Sequence, residues 1–299
     1  MDLARILLLL AGFMLLLTPA PLAQTQRMSG QASQTGQAGQ PGQALPEIPQ
    51  LIREVQEHQK QLDKARENYT FTSAQTTQDL DSSGQVMKTQ VGEVEEFFVN
   101  GRQIGRLVKK DGKPLGDQEQ QKETERVTKL VEKAEKPEQE QPKEGQQISL
   151  SHILEVADVR NPRRENYRGR PTIVFDFVGR KDLRAHGMSE DVSKKLQGTV
   201  WIDEADRQVA HLEVSFNDNF HVGGGLVASV QKGSSFRFDQ ELVNGEVWLP
   251  TEGGGTIQAR FLLVKGIHQR FIERDYDYKR FRVETQQGKD AKVVAEKKP

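Results

Sequence analysis

Residues 198–216 read GTVWIDEADRQVAHLEVSF, and the fold class turns on them. Val200 and Ile202 alternate with Thr199 and Trp201, Asp203 to Asp206 supplies a turn, and Leu212, Val214 and Phe216 alternate with Glu213 and Ser215 on the way back. Successive side chains of a strand point to opposite faces, so this is an antiparallel pair with one oily side.

The pattern repeats in both directions. PTIVFDFVG, residues 171–179, sets Ile173, Phe175 and Phe177 against Thr172 and Asp176. SSFRFDQELV, residues 234–243, sets Phe236 and Phe238 against Arg237, and Asn244-Gly245 then leads into EVWLP. An Asn-Gly pair between strands is a strong hairpin signal, because both central positions of a type I′ turn need positive φ. TIQARFLLVKG and IHQRFIERDYDYKRFRV complete this half; upstream, YTFTSAQTT, QVMKTQVGEVEEFFV and RQIGRLV form a meander punctuated by DSSG, Asn100-Gly101 and Asp111-Gly112-Lys113-Pro114. Many strands joined by tight turns, with almost no βαβ alternation, predict an antiparallel sheet.

Helices are few. Ile48, Leu51, Ile52, Val55, Leu62 and Ala65 recur at helical spacing along a charged segment, which predicts an amphipathic helix with one stripe to bury. Asp117, with Gln120 three residues on, is read as the cap of a charged helix carrying Val127, Leu130, Val131 and Ala134. Shorter helices are expected over Leu150 to Val159 and near Ser189 to Leu196. With one apolar face, the sheet must be covered on one side only. The fold class expected is α+β, mostly β: a strongly curved antiparallel sheet, or half-open β-barrel, with the N-terminal amphipathic helix and short helices across its concave face. Such an arrangement readily leaves a cavity. Its expected lining is Ile173, Phe175, Phe177, Val200, Ile202, Leu212, Val214, Phe216, Phe236, Phe238, Phe261 and Leu263, with Leu51, Ile52 and Val55 on the lid helix. The same alternation is also what a packed core requires. Under strict alternation Trp201 and Trp248 point opposite to their apolar neighbours, which places them on the convex side or at a bulge.

The rest of the chain bounds compartment and chemistry. Ile6 to Leu17 is apolar throughout, too short for a membrane-spanning helix and followed by small residues, so residues 1–23 are read as a signal peptide cut after Ala23. Residues 24–46, rich in Gln, Gly and Ser, read as a disordered linker; 47–284 form the β domain, with a charged helix and loop inserted at 117–147; and 285–299 read as a disordered tail. The chain has no cysteine, which removes disulfides and thiolate chemistry, and a formal net charge of -1, which gives no global field favouring nucleic acid.

Two basic stretches stand out locally. One runs through Arg160, Arg163, Arg164, Arg168, Arg170, Arg180, Lys181 and Arg184; the other holds Arg270, Arg274, Lys279, Arg280 and Arg282. They serve either as edge protection or as a surface for an anionic partner. Gly223 to Gly225 and Gly253 to Gly255 lack the context of a phosphate loop and are read as bulges or turns. His211 is expected to face solvent, and its neighbours Asp218 and His221 match no metal-ligand spacing. No G-x-S-x-G elbow occurs. Neither a metal, a cofactor nor a catalytic residue is assigned.

The succession WIDEADRQVAHLEV at Trp201 to Val214, NGEVWLPTEGGG at Asn244 to Gly255 and RDYDYKRF at Arg274 to Phe281 resembles the LolA-like outer-membrane lipoprotein-sorting family of periplasmic proteins, which includes the RseB and MucB regulators. The resemblance covers Pro49 to Phe281 and is a pattern of strands and turns. It implies a periplasmic carrier that shelters a lipid or lipoprotein acyl chain, without catalysis. A stress sensor that binds a partner domain, with a membrane protein as candidate partner, is the alternative, and a hydrolase the least favoured reading. The family's lid-locking arginine has no assigned position here, and oligomeric state stays open.

Overall fold

In the computed structural model the described residues are 44–100, 102–136, 153–154, 156–184, 187–222, 227–261, 265–284 and 292–295. The expected signal peptide, nearly all of the linker, the loop from 137 and the glycines at 223–225 lie outside them.

The first element is helix α1, Ile48–Arg66. An N-terminal meander follows: β1 Tyr69–Leu80, β2 Val86–Val99, β3 Arg102–Lys110 and the two-residue β4 Lys113–Pro114. Helix α2, Asp117–Glu135, leads on to β5 Ala157–Tyr167 and β6 Arg170–Gly179. Short helix α3, Met188–Ser193, precedes β7 Leu196–Asp203 and β8 Val209–Phe216. The remaining strands are β9 Phe220–Val222, β10 Ala228–Val230, β11 Ser235–Val243, β12 Val247–Phe261, β13 Lys265–Glu284 and β14 Lys292–Ala295.

One antiparallel sheet takes them all, in the order β4-β3-β2-β1-β13-β12-β11-β8-β7-β6-β5, with β9, β10 and β14 attached beside that path. Its two ends do not pair with each other among the described residues, so the barrel stays open. The late strand β13 lies between β1 and β12 and joins the N-terminal meander to the C-terminal one. Hairpin chemistry behaves as the sequence predicts: Asn244 and Gly245 both take positive φ between β11 and β12.

Apolar side chains gather in two clusters under α1. The larger holds Leu51 and Val55 of α1 with residues of β6, β7, β8, β11 and β12; the smaller holds Tyr69, Phe71, Phe98, Val247 and Leu249, with Ala65 packed against it. Ile153 and Val192 of α3 also enter the larger cluster, so short helical pieces share the cover. The half-open, helix-covered sheet is thus the one expected from alternation.

Five local expectations are corrected. Of the helix foreseen over Leu150 to Val159, the described residues Ile153 and Leu154 are helical, but Val156 is a turn and Ala157 already belongs to β5. That strand is almost all polar, and its Asn161-Pro162 pair sits in a register shift between Arg160 and Arg163, where an edge strand tolerates proline. Gly253 to Gly255 are not a turn or a bulge but continue β12; the register shift lies next to them, at Pro250 and Glu252. Glycine is needed there because a Cβ on Gly255 would stand 2.1 Å from the Ser235 carbonyl oxygen.

Gly116, not Asp117, is the N-cap of α2, and no side chain closes it, because Asp117 already lies in the first helical turn. Within the expected tail, Lys292–Ala295 pairs with the overhanging end of β13, where two valines suit a strand. Finally, His211 is buried rather than solvent-facing, for reasons set by its neighbours below.

Candidate functional site

The apolar side of the sheet is assembled by register. Ile173 lies opposite Ile202 and Phe175 opposite Val200; Val200 in turn faces Leu212, and Val214 faces Phe236. Because paired residues share a face, the alternation read on each strand adds up to one continuous surface. Ile173, Phe175, Phe177, Val200, Ile202, Val214, Phe216, Phe236 and Phe261 join Leu51 and Val55 in a single buried cluster, with Leu212 and Ile52 packed against it. Phe238 is buried but falls outside that cluster. Leu263 lies outside the described residues.

In this conformation the surface is closed. Ile173, Phe175, Phe177, Val200 and Ile202 have no exposed area, and neither does Leu51 of α1. The rings interlock, with Phe236 centred 6.4 Å from Phe216 and 5.9 Å from Phe271. α1 covers part of it through Leu51, Ile52 and Val55, beside Ile153 and Val192.

Polar contacts at the rim fix that helix. Arg207 Nε donates to Glu54 Oε2 at 2.7 Å, and His58 Nδ1 lies 3.1 Å from the Asp206 carbonyl oxygen. At the other end, Arg66 Nε donates to the Trp248 carbonyl oxygen at 3.1 Å, and its Nη2 to Gln240 Oε1 at 2.9 Å. The turn after β7 is itself braced. Arg170 donates to Asp203 and Asp206, and Trp248 Nε1 donates to Asp206 Oδ2 at 3.0 Å under the Arg170 guanidinium. Trp248 is buried by this network, whereas Trp201 lies on the opposite face of the sheet, where it was expected.

That outer face holds the second polar assembly. His211 stacks on Tyr167 and meets the Trp201 ring at a tilt, at 4.9 and 4.7 Å between ring centres. Its Nδ1 meets Asp239 Oδ1 at 3.0 Å and its Nε2 meets Glu213 Oε1 at 3.3 Å, while the Tyr167 hydroxyl donates to Asp239. Burial opposes charge on the imidazole, but the bonds to Asp239 and Glu213 outweigh it and raise its pKa. Strand parity placed His211 on the outer face correctly. It could not show that Tyr167 would cover it.

Both ring nitrogens of His211 are engaged by carboxylates, which leaves none to activate a serine there. Asp218 pairs instead with Lys181 at 3.3 Å, and among the described residues no group of acidic or histidine side chains is arranged to hold a metal ion. The first basic stretch is neutralised internally: Arg160, Arg163, Arg164, Arg168, Arg170, Arg180 and Lys181 each form an ion pair within the chain. Arg274, Lys279 and Arg280 of the second do the same.

No family model and no curated protein matches the chain. The solved structures similar to it include a lipoprotein-sorting domain and MucB, the kinds that the strand-and-turn succession resembles, and a DUF1329 family protein. A protein domain from Vibrio parahaemolyticus described as outer membrane lipoprotein-sorting is 11% identical over 80% of this chain and 95% of its own, with a TM-score of 0.33. A DUF1329 family protein from Desulfovibrio piger is 10% identical over 76% and 92%, with a TM-score of 0.29. MucB solved in complex with the periplasmic part of MucA is 9% identical over 77% and 94%, with a TM-score of 0.23. At such TM-scores, what those proteins sort or bind remains a property of theirs.

Proposed function

We propose that this chain is a non-catalytic periplasmic carrier that shelters an acyl chain of a lipid or lipoprotein between α1 and the apolar face of β6, β7, β8, β11 and β12. The observation that carries the reading is the convergence of strands from β6 to β13 on one apolar cluster covered by α1 together with short helical pieces, with α1 held at the rim by a few polar contacts. Among the described residues no helix is long and apolar enough to cross a membrane.

Magnitudes make the exchange workable. Lifting α1 uncovers the buried Leu51 and Val55, worth about 1.5–3 kcal/mol each, and the partly buried Ile48 and Ile52, worth less. An acyl chain regains about 0.8 kcal/mol for every methylene it hides, so a dozen methylenes offset the loss. Helix and ligand are then near-equal competitors for one surface, which suits a protein that must both take up and release its cargo.

The alternative, a sensor binding a partner through its basic stretches, has less support, because those arginines already meet carboxylates of their own chain. The test is to purify the full-length protein without detergent and analyse its organic extract by mass spectrometry. Stoichiometric lipid from the wild type and little from Val55→Asp, which spoils only the helix side of the cluster, is the expected result. No lipid from a folded wild type would remove the carrier reading.

A further inference from the structure

Between the two apolar clusters the same face of the sheet turns acidic. On β1, Phe71 lies opposite Glu96, Ser73 opposite Asp275 and Gln75 opposite Glu273. Those three β1 positions share a face, so Glu96 of β2 and both carboxylates of β13 are brought to one side of the sheet.

We infer that Glu96, Glu273 and Asp275 form a proton-holding carboxyl cluster that makes the β2–β1–β13 region, and the docking of α2 beside it, loosen as solution pH rises through neutrality.

The groups facing the cluster offer few donors. From β1 come the neutral Ser73, whose hydroxyl donates to Glu273 Oε1 at 2.9 Å, and Gln75, which also bonds that carboxyl. From β3 comes Gln103, bonded to Glu96; from β12, opposite Glu273, only Gly253; and from β13 itself, Tyr278. Oδ1 of Asp275 is buried without a hydrogen-bond partner.

The facing cation is Arg126 of α2, already engaged by Glu123 at 2.7 and 2.6 Å. Arg126 reaches the cluster through Gly105: it donates to the Gly105 carbonyl oxygen, and the Glu96 carboxyl fills the space where a Gly105 side chain would be, 2.6 Å from its Cβ position. Glu123 in turn accepts the Leu107 N–H at 2.7 Å, so the Glu123–Arg126 pair seals β3 to α2 right beside the acids.

Burial first, and then the charge of Glu273, pushes Glu96 up to about 7, with Arg126 only partly opposing. Burial likewise raises Glu273, and burial followed by Glu273 raises Asp275. The sign follows. Near pH 6 the folded protein holds protons that the unfolded chain has released, so raising the pH favours unfolding, by about tenfold in the equilibrium constant per pH unit for each such proton. Above the folded pKa values the dependence flattens, and the acids repel.

The experiment is urea unfolding of the full-length protein from about pH 5 to about pH 8.5, with hydrogen exchange read by mass spectrometry at both ends. The unfolding constant is expected to climb with pH and then level off. Protection is expected to fall in β1, β2, β13 and α2 more than in β6, β7 and β8. His211 contributes a slope of the same sign, so Glu96→Gln and Asp275→Asn separate the two: each should flatten the profile. An unchanged slope in both variants, or uniform loss of protection, would overturn the inference. Should neither variant fold, the infrared carbonyl band of protonated carboxyls in the wild type at about pH 6.5 decides, since its absence there contradicts the cluster.

Discussion

Arg207 and Glu54 meet where α1 crosses the turn after β7, and both side chains keep roughly a third of their surface in water. A pair so exposed is worth only about 0–1 kcal/mol, so its role is to bias the position of the helix rather than to hold the fold. Arg207→Ala should therefore leave the urea midpoint nearly unchanged while speeding hydrogen exchange across Ile48–Arg66; a large fall in stability would mean the pair is structural. His211 makes the opposite kind of contact, buried and doubly bonded. Its folded pKa is raised, so the stability it adds is complete below the ordinary histidine value of about 6.5 and fades as pH climbs through the folded one. Asp239→Asn should bring the NMR titration midpoint of His211 down; no movement would show that Asp239 does not hold the imidazolium.

Elements differ in how legibly the chain announces them. The amphipathic stripe of α1 and the Asn-Gly hairpin are local signals, and both appear where the spacing puts them. β5 was hidden because an edge strand needs no apolar face: its charged side chains and Asn161-Pro162 imitate a loop. The length of β12 was hidden by its glycines, which look like a break and instead let β11 and β13 close in on either side. Gly255→Ala puts a methyl within 2.1 Å of a backbone oxygen, and the strand must shift. A loss of at least about 2 kcal/mol in urea unfolding is expected, as for overpacked cores; a neutral result would mean that the sheet there is slack.

Across the whole molecule, the faces were readable and the contents between them were not. Alternation and the helical stripe named eleven of the 21 buried side chains that the larger cluster holds among the described residues, because burial on one side of a sheet is a local rule repeated strand by strand; side chains on short elements, such as Val192, Phe220 and Val230, escaped it. The carboxyl cluster escaped, since β2 and β13 are distant in the chain and meet only across β1. Its one local trace is Glu96, sitting between Val94 and Phe98 at apolar-face positions. The carrier account requires that an acyl chain replace α1 against Ile173, Val200 and Ile202. The most direct measurement is methyl NMR of the full-length protein with a fatty acid bearing a nitroxide on its chain. The account predicts broadened methyls for Ile173, Val200, Ile202 and Leu51, with the exposed Val86 and Met87 unaffected. Sharp signals from the cluster at saturating fatty acid, or broadening confined to the exposed methyls, would contradict it.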